Sequence, residues 1–248
     1  IELEEKDEFR LTPEKLLEKI TPKTKVLILP FPNNPTGAIM NRTDLEAIAK
    51  VIEEKDLFVL SDEIYSELTY SGKHVSIAEI SGMRDRTVLI NGFSKAYAMT
   101  GWRLGYLACN TAMYQVVLKL FQHSISCTSG FLQRGALTAM DCVEKTEQMR
   151  QAYEKRKNLL VKGIHEIPGV ELLTPAGAFY AWVKFDTDMD SETLCNDLLD
   201  KAKIAGVPGI AYGEEDCVCI RFSFAASEDV LRTMLERLKT YQTTHNDL

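Results

Sequence analysis

No apolar run in this 248-residue chain approaches the ~20 residues that a membrane-spanning helix needs. No basic block stands out either. The 29 basic residues are outnumbered by 36 acidic ones, for a net charge of −7, the wrong sign for a protein whose main partner is nucleic acid. The four histidines lie far apart and form no H-E-x-x-H or similar metal spacing. The six cysteines (109, 127, 142, 195, 217 and 219) include no C-x-x-C pair. They are expected to be reduced thiols of a cytoplasmic protein rather than a disulfide framework. Cys217 and Cys219, two apart, point to one face if their segment is a strand. Repeats, low-complexity tracts and a targeting segment are absent as well. So is an initiating methionine: the chain opens on IELEEKDEFRL, which reads as the middle of something longer. What is present is 45% apolar and 26% charged, an ordinary globular balance that makes a small molecule the default ligand.

The apolar segments have two periods. LTPEKLLEKI (11–20) reads as a helix with Thr12 as N-cap and Pro13 in its first turn. NRTDLEAIAKVIEEKD (41–56) carries Leu45, Ile48, Ala49 and Ile52 on one helical stripe. Between and after them lie short apolar runs: KVLILPF (25–31), LFVLSDEIY (57–65), TVLINGFSK (87–95) and RLGYLAC (103–109). The first two are expected to be strands of a buried parallel sheet. Strands alternating with helices imply an α/β fold with a mostly parallel sheet, whose chemistry gathers at the strands' carboxyl ends. Beyond residue 110 come long helical patterns, the last a connector, then strands at 169–185 and 217–225 and helices at 191–204 and 227–242. The expected fold class is α/β: part of a three-layer α/β/α cofactor-binding domain over residues 1–145, and a smaller α+β domain over 146–248.

Polar residues fall at the expected strand ends. Asn34 follows the first, Asp62 and Tyr65 close the second, and Lys95 closes the third. Singly, each has a plainer role as a solvated or capping group. Jointly they suit one chemistry. A lysine can condense with an aldehyde cofactor. An aspartate can keep a pyridinium nitrogen protonated, so that the ring remains an electron sink. A tyrosine hydroxyl and an asparagine amide can bind a phenolate oxygen, and arginine forks can bind a phosphate and a carboxylate. That set points to pyridoxal 5'-phosphate.

Five stretches carry a family resemblance: PNNPTG (32–37), SDEIY (61–65), GFSKAYAMTGWRLG (92–105), PAGAFYAW (175–182) and IRFSFA (220–225). In these the chain resembles the class I/II aminotransferases, fold-type I pyridoxal-phosphate enzymes. The resemblance implies Lys95 as Schiff-base lysine and general base, and Asp62 as partner of the ring nitrogen. It implies Tyr65 and Asn34 as ligands of the ring oxygen, and Arg103 with Ser94 near the phosphate. Arg221, with Asn34, would bind the substrate carboxylate. Gly37 and Gly101 are expected to be conformational glycines beside the site. The position three before the lysine, serine in many members, is Gly92 here. The family's N-terminal third is missing from this sequence, and an open sheet edge and an exposed apolar sheet face are expected to follow. The implied reaction moves an amino group between an amino acid and a 2-oxo acid, in a homodimer to which helical 112–126 could contribute. The alternatives are a carbon–sulfur lyase or synthase on the same residues, or the aminotransferase-like sensor domain of a transcription regulator.

Overall fold

The first helix begins where the sequence places it. Thr12 Oγ1 accepts the Lys15 N–H at 3.4 Å, and Pro13 opens α1 (Pro13–Lys19), a position where a missing N–H costs nothing. The computed structural model describes residues 1–213 and 217–245. The chain divides into two units: Ile1–Pro32 with Ala38–Arg150, and Asn33–Gly37 with Gln151–Leu248.

The first unit is built on four strands in chain order. These are β1 (Val26–Pro30), β2 (Phe58–Asp62), β3 (Thr87–Gly92) and β4 (Gly105–Ala108). The first three are parallel, and β4 returns antiparallel to β3. Between β1 and β2 runs α2 (Arg42–Glu54), opened by a reciprocal pair of bonds between Asn41 and Asp44, which satisfies two N–H groups that the helix cannot. Its Leu45, Ile48, Ala49 and Ile52 pack with Leu27, Leu29 and Val59 in one core. After β4 come α3 (Thr111–Ser124) and α4 (Gly130–Met140), and α5 (Val143–His165) leads into the second unit.

The exposed apolar sheet face expected from the sequence is present, and the expectation of buried strands is corrected by it. Strands β1 and β2 are not buried on both faces. Leu27 and Leu29 are covered, but Val26 is 45% exposed, Ile28 65% and Phe58 48%. Helix α2 packs on one face of this sheet, and on the other Ile28 is largely exposed while Val88, two strands away, is buried. Exposed Tyr114, Val116 and Leu120 on α3, with Phe131 and Leu137 on α4, add to the apolar surface. Patches of this kind drive association. The 248-residue chain on its own is therefore expected to self-associate, and a monodisperse monomer in light scattering would contradict this.

The second unit holds an antiparallel sheet of β5 (Val170–Leu172), β6 (Tyr180–Phe185), β7 (Val207–Pro208) and β8 (Val218–Ser223), in the order β5-β6-β8-β7. Against it stand α6 (Ser191–Asp197), continued by a wider turn over Leu198–Ala202, and α7 (Glu228–His245). Val183, Ile220 and Phe224 are fully buried, as are Ile164 of α5 and Leu238 of α7. Ser227 Oγ accepts the Val230 N–H at 3.3 Å and caps α7. Among the described residues no helix is long and apolar enough to cross a membrane.

The early turn 33–37 belongs to this unit. Asn33 Oδ1 accepts from Thr36 N–H and Oγ1, and the Gly37 carbonyl accepts from Ala176 and Gly177 N–H at 3.0 and 2.8 Å. Gly37 has φ +72°, and a Cβ there would lie 2.4 Å from Pro175 Cβ. Gly37→Ala therefore combines a left-handed backbone with a clash, and should destabilise by about 2–3 kcal/mol, seen as a lowered urea midpoint.

Candidate active site

In the first unit the candidate residues sit at or just past the ends of parallel strands. Asp62 is the last residue of β2, and its carboxylate accepts the Ile64 N–H at 3.1 Å, a local turn that suits aspartate. Tyr65 is buried just beyond. The chain leaves β3 at Gly92 and turns through 93–98, where Ser94 and Lys95 are half-buried. The Lys95 ammonium stands 5.8 Å from the centre of the Tyr65 ring, within reach of a cation–π attraction. The structure therefore brings Lys95 and Tyr65 together. Asp62 and Arg103 are bonded to their own turns, Arg103 through Nη1 to the Thr100 carbonyl at 3.2 Å. Ser94 offers its carbonyl to Thr100 Oγ1 at 3.0 Å.

Gly37 has the left-handed φ expected of it, and Gly101 does not. A Cβ at Gly101 would meet nothing within 4 Å. The left-handed positions of this loop are Ala98 (φ 53°) and Arg103 itself (φ 50°). The return of the chain is made by these two residues, at a local cost that bonding nearby must offset. Gly92 is the glycine that space requires. It faces Gly105 across β3–β4, and a Cβ would stand 3.1 Å from Gly105 Cα and from the Leu104 carbonyl. This close approach favours glycine at a position where a side chain would press on the neighbouring strand.

In the second unit Arg221 lies in β8, paired with Trp182 on one side and Val207 on the other. Its Nη1 donates to Asn34 Oδ1 at 2.8 Å. Its guanidinium carbon is 4.3 Å from the Tyr180 ring centre and 5.4 Å from that of Tyr212. The Tyr212 hydroxyl is pushed up by burial, against the pull of the Arg221 charge. Arg221 Nε is buried and has no hydrogen-bond partner among the described residues. A buried donor atom left without an acceptor costs free energy, and a carboxylate ligand would satisfy it.

The sequence reading missed a buried network next to Asp62. Glu63 is 3% exposed. It accepts from Ser61 Oγ at 2.9 Å and Ser76 Oγ at 2.6 Å, and His74 Nε2 lies 2.7 Å from its other oxygen. Burial would raise this carboxyl. The bonds from His74 and Ser76, with the charge of a protonated His74, hold it below the usual value instead. The sequence carries no mark of this network, because the burial that makes Glu63 need partners shows only in the fold. A depressed carboxyl stabilises the fold above its unfolded value of about 4.3 and loses that contribution as pH falls through the lower folded value. Glu63→Gln should therefore cost about 2–4 kcal/mol at neutral pH. Urea titrations should show that gap closing as pH drops below about 4.

The comparisons bear on both units. The chain belongs to the family described as aminotransferase class I and II, whose profile matches residues 1–238. It is 39% identical over 240 residues to aromatic-amino-acid aminotransferase 2 of Thermococcus litoralis, covering 95% of this chain and 61% of that protein. It is 38% identical over 251 residues to an aspartate aminotransferase of Bacillus subtilis, covering 98% and 63%. Among solved structures, the aromatic aminotransferase of Pyrococcus horikoshii matches with a TM-score of 0.95 at 36% identity, over 99% of this chain and 67% of that one. The chain thus spans about 61% of the length of the curated relatives it matches. The α/β fold read from the sequence, with its mostly parallel first sheet, is the one these relatives share.

Proposed function

We propose that the full protein is a pyridoxal-phosphate-dependent aminotransferase, moving an amino group between an amino acid and a 2-oxo acid. The observation that carries this reading is the Lys95 amine held over Tyr65 just past the end of β3, with Asp62 ending the neighbouring parallel strand. An amine, a carboxylate, a phenol and a guanidinium on one sheet edge form a donor set that fits the cofactor. When bound, pyridoxal phosphate supplies an electron sink for carbanion character at the substrate's α-carbon. Lys95 Nζ would hold it covalently, then take and return the α-carbon proton. The Asp62 carboxylate would keep the ring nitrogen protonated. Arg103 and Ser94 would bind the phosphate, and the Tyr65 hydroxyl the ring oxygen. Arg221, oriented by Asn34, would fork onto the substrate carboxylate. The names of the relatives favour aspartate or an aromatic amino acid as donor. We further propose a cytoplasmic homodimer that uses the apolar faces of α3 and α4, with no nucleic-acid partner at a net charge of −7.

Borohydride reduction of the full-length protein with pyridoxal phosphate, followed by peptide mass mapping, tests the reading. A reduced adduct on Lys95 is expected, with amino transfer that requires a 2-oxo acid acceptor. An adduct elsewhere, or release of pyruvate and ammonia without an acceptor, would overturn it.

A further inference from the structure

The Sγ atoms of Cys219, on the strand that carries Arg221, and of Cys217, immediately before that strand, lie 2.9 Å apart. Both are thiols. Spacing by two residues in extended chain puts the α-carbons about 6.6 Å apart, inside the range of roughly 4.4–6.8 Å that a disulfide spans. The last residue of β8 paired to β6 at this end is Val218, so Cys217 lies just outside the ladder and its backbone can adjust. Cys217 is half-buried, whereas Cys219 is only 2% exposed. One thiol can be reached from solvent, with a second, sheltered thiol against it. Elsewhere in this unit Cys195 contrasts, with a thiol that burial pushes up to about 11 and so disfavours as a nucleophile.

We propose that Cys217 and Cys219 are a thiol–disulfide exchange site that takes a low-molecular-weight disulfide and, when oxidised, weakens carboxylate binding at Arg221. The Cys217 thiolate attacks one sulfur of the incoming disulfide, whose other half leaves as a thiolate and takes up a proton. Cys219 then loses its proton and attacks the Cys217 sulfur, releasing the second half as a thiol. The dithiol is oxidised by two electrons and the small disulfide reduced by two, so no further oxidant is needed. Side chains 217, 219 and 221 alternate onto the same face of the strand. Pulling 217 and 219 together tightens the backbone at the Cys219–Lys184 pair, the next on that face before Arg221–Trp182. Arg221 depends on that register for its bond to Asn34 and its place over Tyr180. The effect on affinity rests on the function proposed above; the exchange chemistry does not.

The test treats the full-length holoprotein with oxidised glutathione, maps peptides without reductant, and measures kinetics before and after. Wild-type protein should lose two hydrogens from the peptide holding both cysteines, reversibly with dithiothreitol. Cys219→Ser should retain a glutathione adduct on Cys217, and Cys217→Ser should remain unmodified at Cys219. The KM for the carboxylate substrate should rise by about tenfold on oxidation, the scale of one weakened bond to a charged group, with little change in kcat. Reduced Cys217→Ser should match reduced wild type and fail to respond. A persistent glutathione adduct on wild-type Cys217, or no reaction at either thiol, would overturn the exchange site. A disulfide that forms with KM unchanged would overturn its link to Arg221. The mass readout stands even if the protein proves not to be a transaminase.

Discussion

Lys95→Ala, made in the full-length protein, should lower kcat by at least about a thousandfold and leave the fold intact. Lys95 is half-buried in a turn whose hydrophobic support comes from Phe93, Leu104 and Ala136, with Tyr97 and Met99 against them. The amine lies over Tyr65 in a cation–π contact, worth about 0.5–2 kcal/mol. Its proposed work is chemical: covalent attachment and proton transfer, of which the second alone accounts for roughly 10²–10⁴ in rate. Single-turnover kinetics with pyridoxal phosphate present, together with a melting curve, would check both halves. A variant with near-normal turnover would remove Lys95 from the reaction. Lys95→Arg should rescue no activity, because a guanidinium keeps its proton.

Arg221→Met should lower kcat/KM by about 10²–10³, mainly through KM, the scale expected when a buried charged partner of a carboxylate is lost. Its effect on stability should have the opposite sign. Arg221 carries a buried Nε with no acceptor among the described residues, an arrangement that costs roughly 1–3 kcal/mol. Methionine keeps apolar length against Tyr180 and Tyr212 and removes the orphaned donor. The exposed Asn34 can turn to water. The variant should therefore melt at the same temperature as wild type or above it. Strain tolerated for a ligand is a recognised origin of such trade-offs. A clear drop in melting temperature would show instead that Arg221 serves the fold.

Much of this was legible in the sequence because the relevant signals are local. Thr12 with Pro13, the stripe from Leu45 to Ile52, and the apolar runs at 25–31 and 57–65 each fix an element through near neighbours. The strand-end location of Asp62 followed from the second of those runs, whereas Lys95, expected to close the third strand, stands in the turn three residues past its end at Gly92. Three features were not legible. Apolar runs cannot tell a strand covered on two faces from one covered on one, so Val26 and Ile28 were read as buried. The left-handed residues of the 93–104 loop are Ala98 and Arg103, which ordinary preferences would not select, and Gly101 attracted the assignment instead. The Arg221–Asn34 bond joins residues 187 positions apart, and the Glu63 network follows from a burial that no periodicity marks.

The grouping of residues 33–37 with a unit otherwise made of 151–248 has a consequence for the order of assembly. The Asn34–Arg221 bond spans 187 positions. Closing a loop of that length costs roughly 4–5 kcal/mol of chain entropy, a penalty that one hydrogen bond does not repay. The pairings within β1, β2 and β3 bridge far shorter stretches, so they can form while the rest of the polypeptide is still being synthesised. The turn with Asn34 must wait, made early but without its sheet, until β6 and β8 exist to receive it. A fragment beginning at 151 would contain the arginine and its strand but lack the residue that aims it.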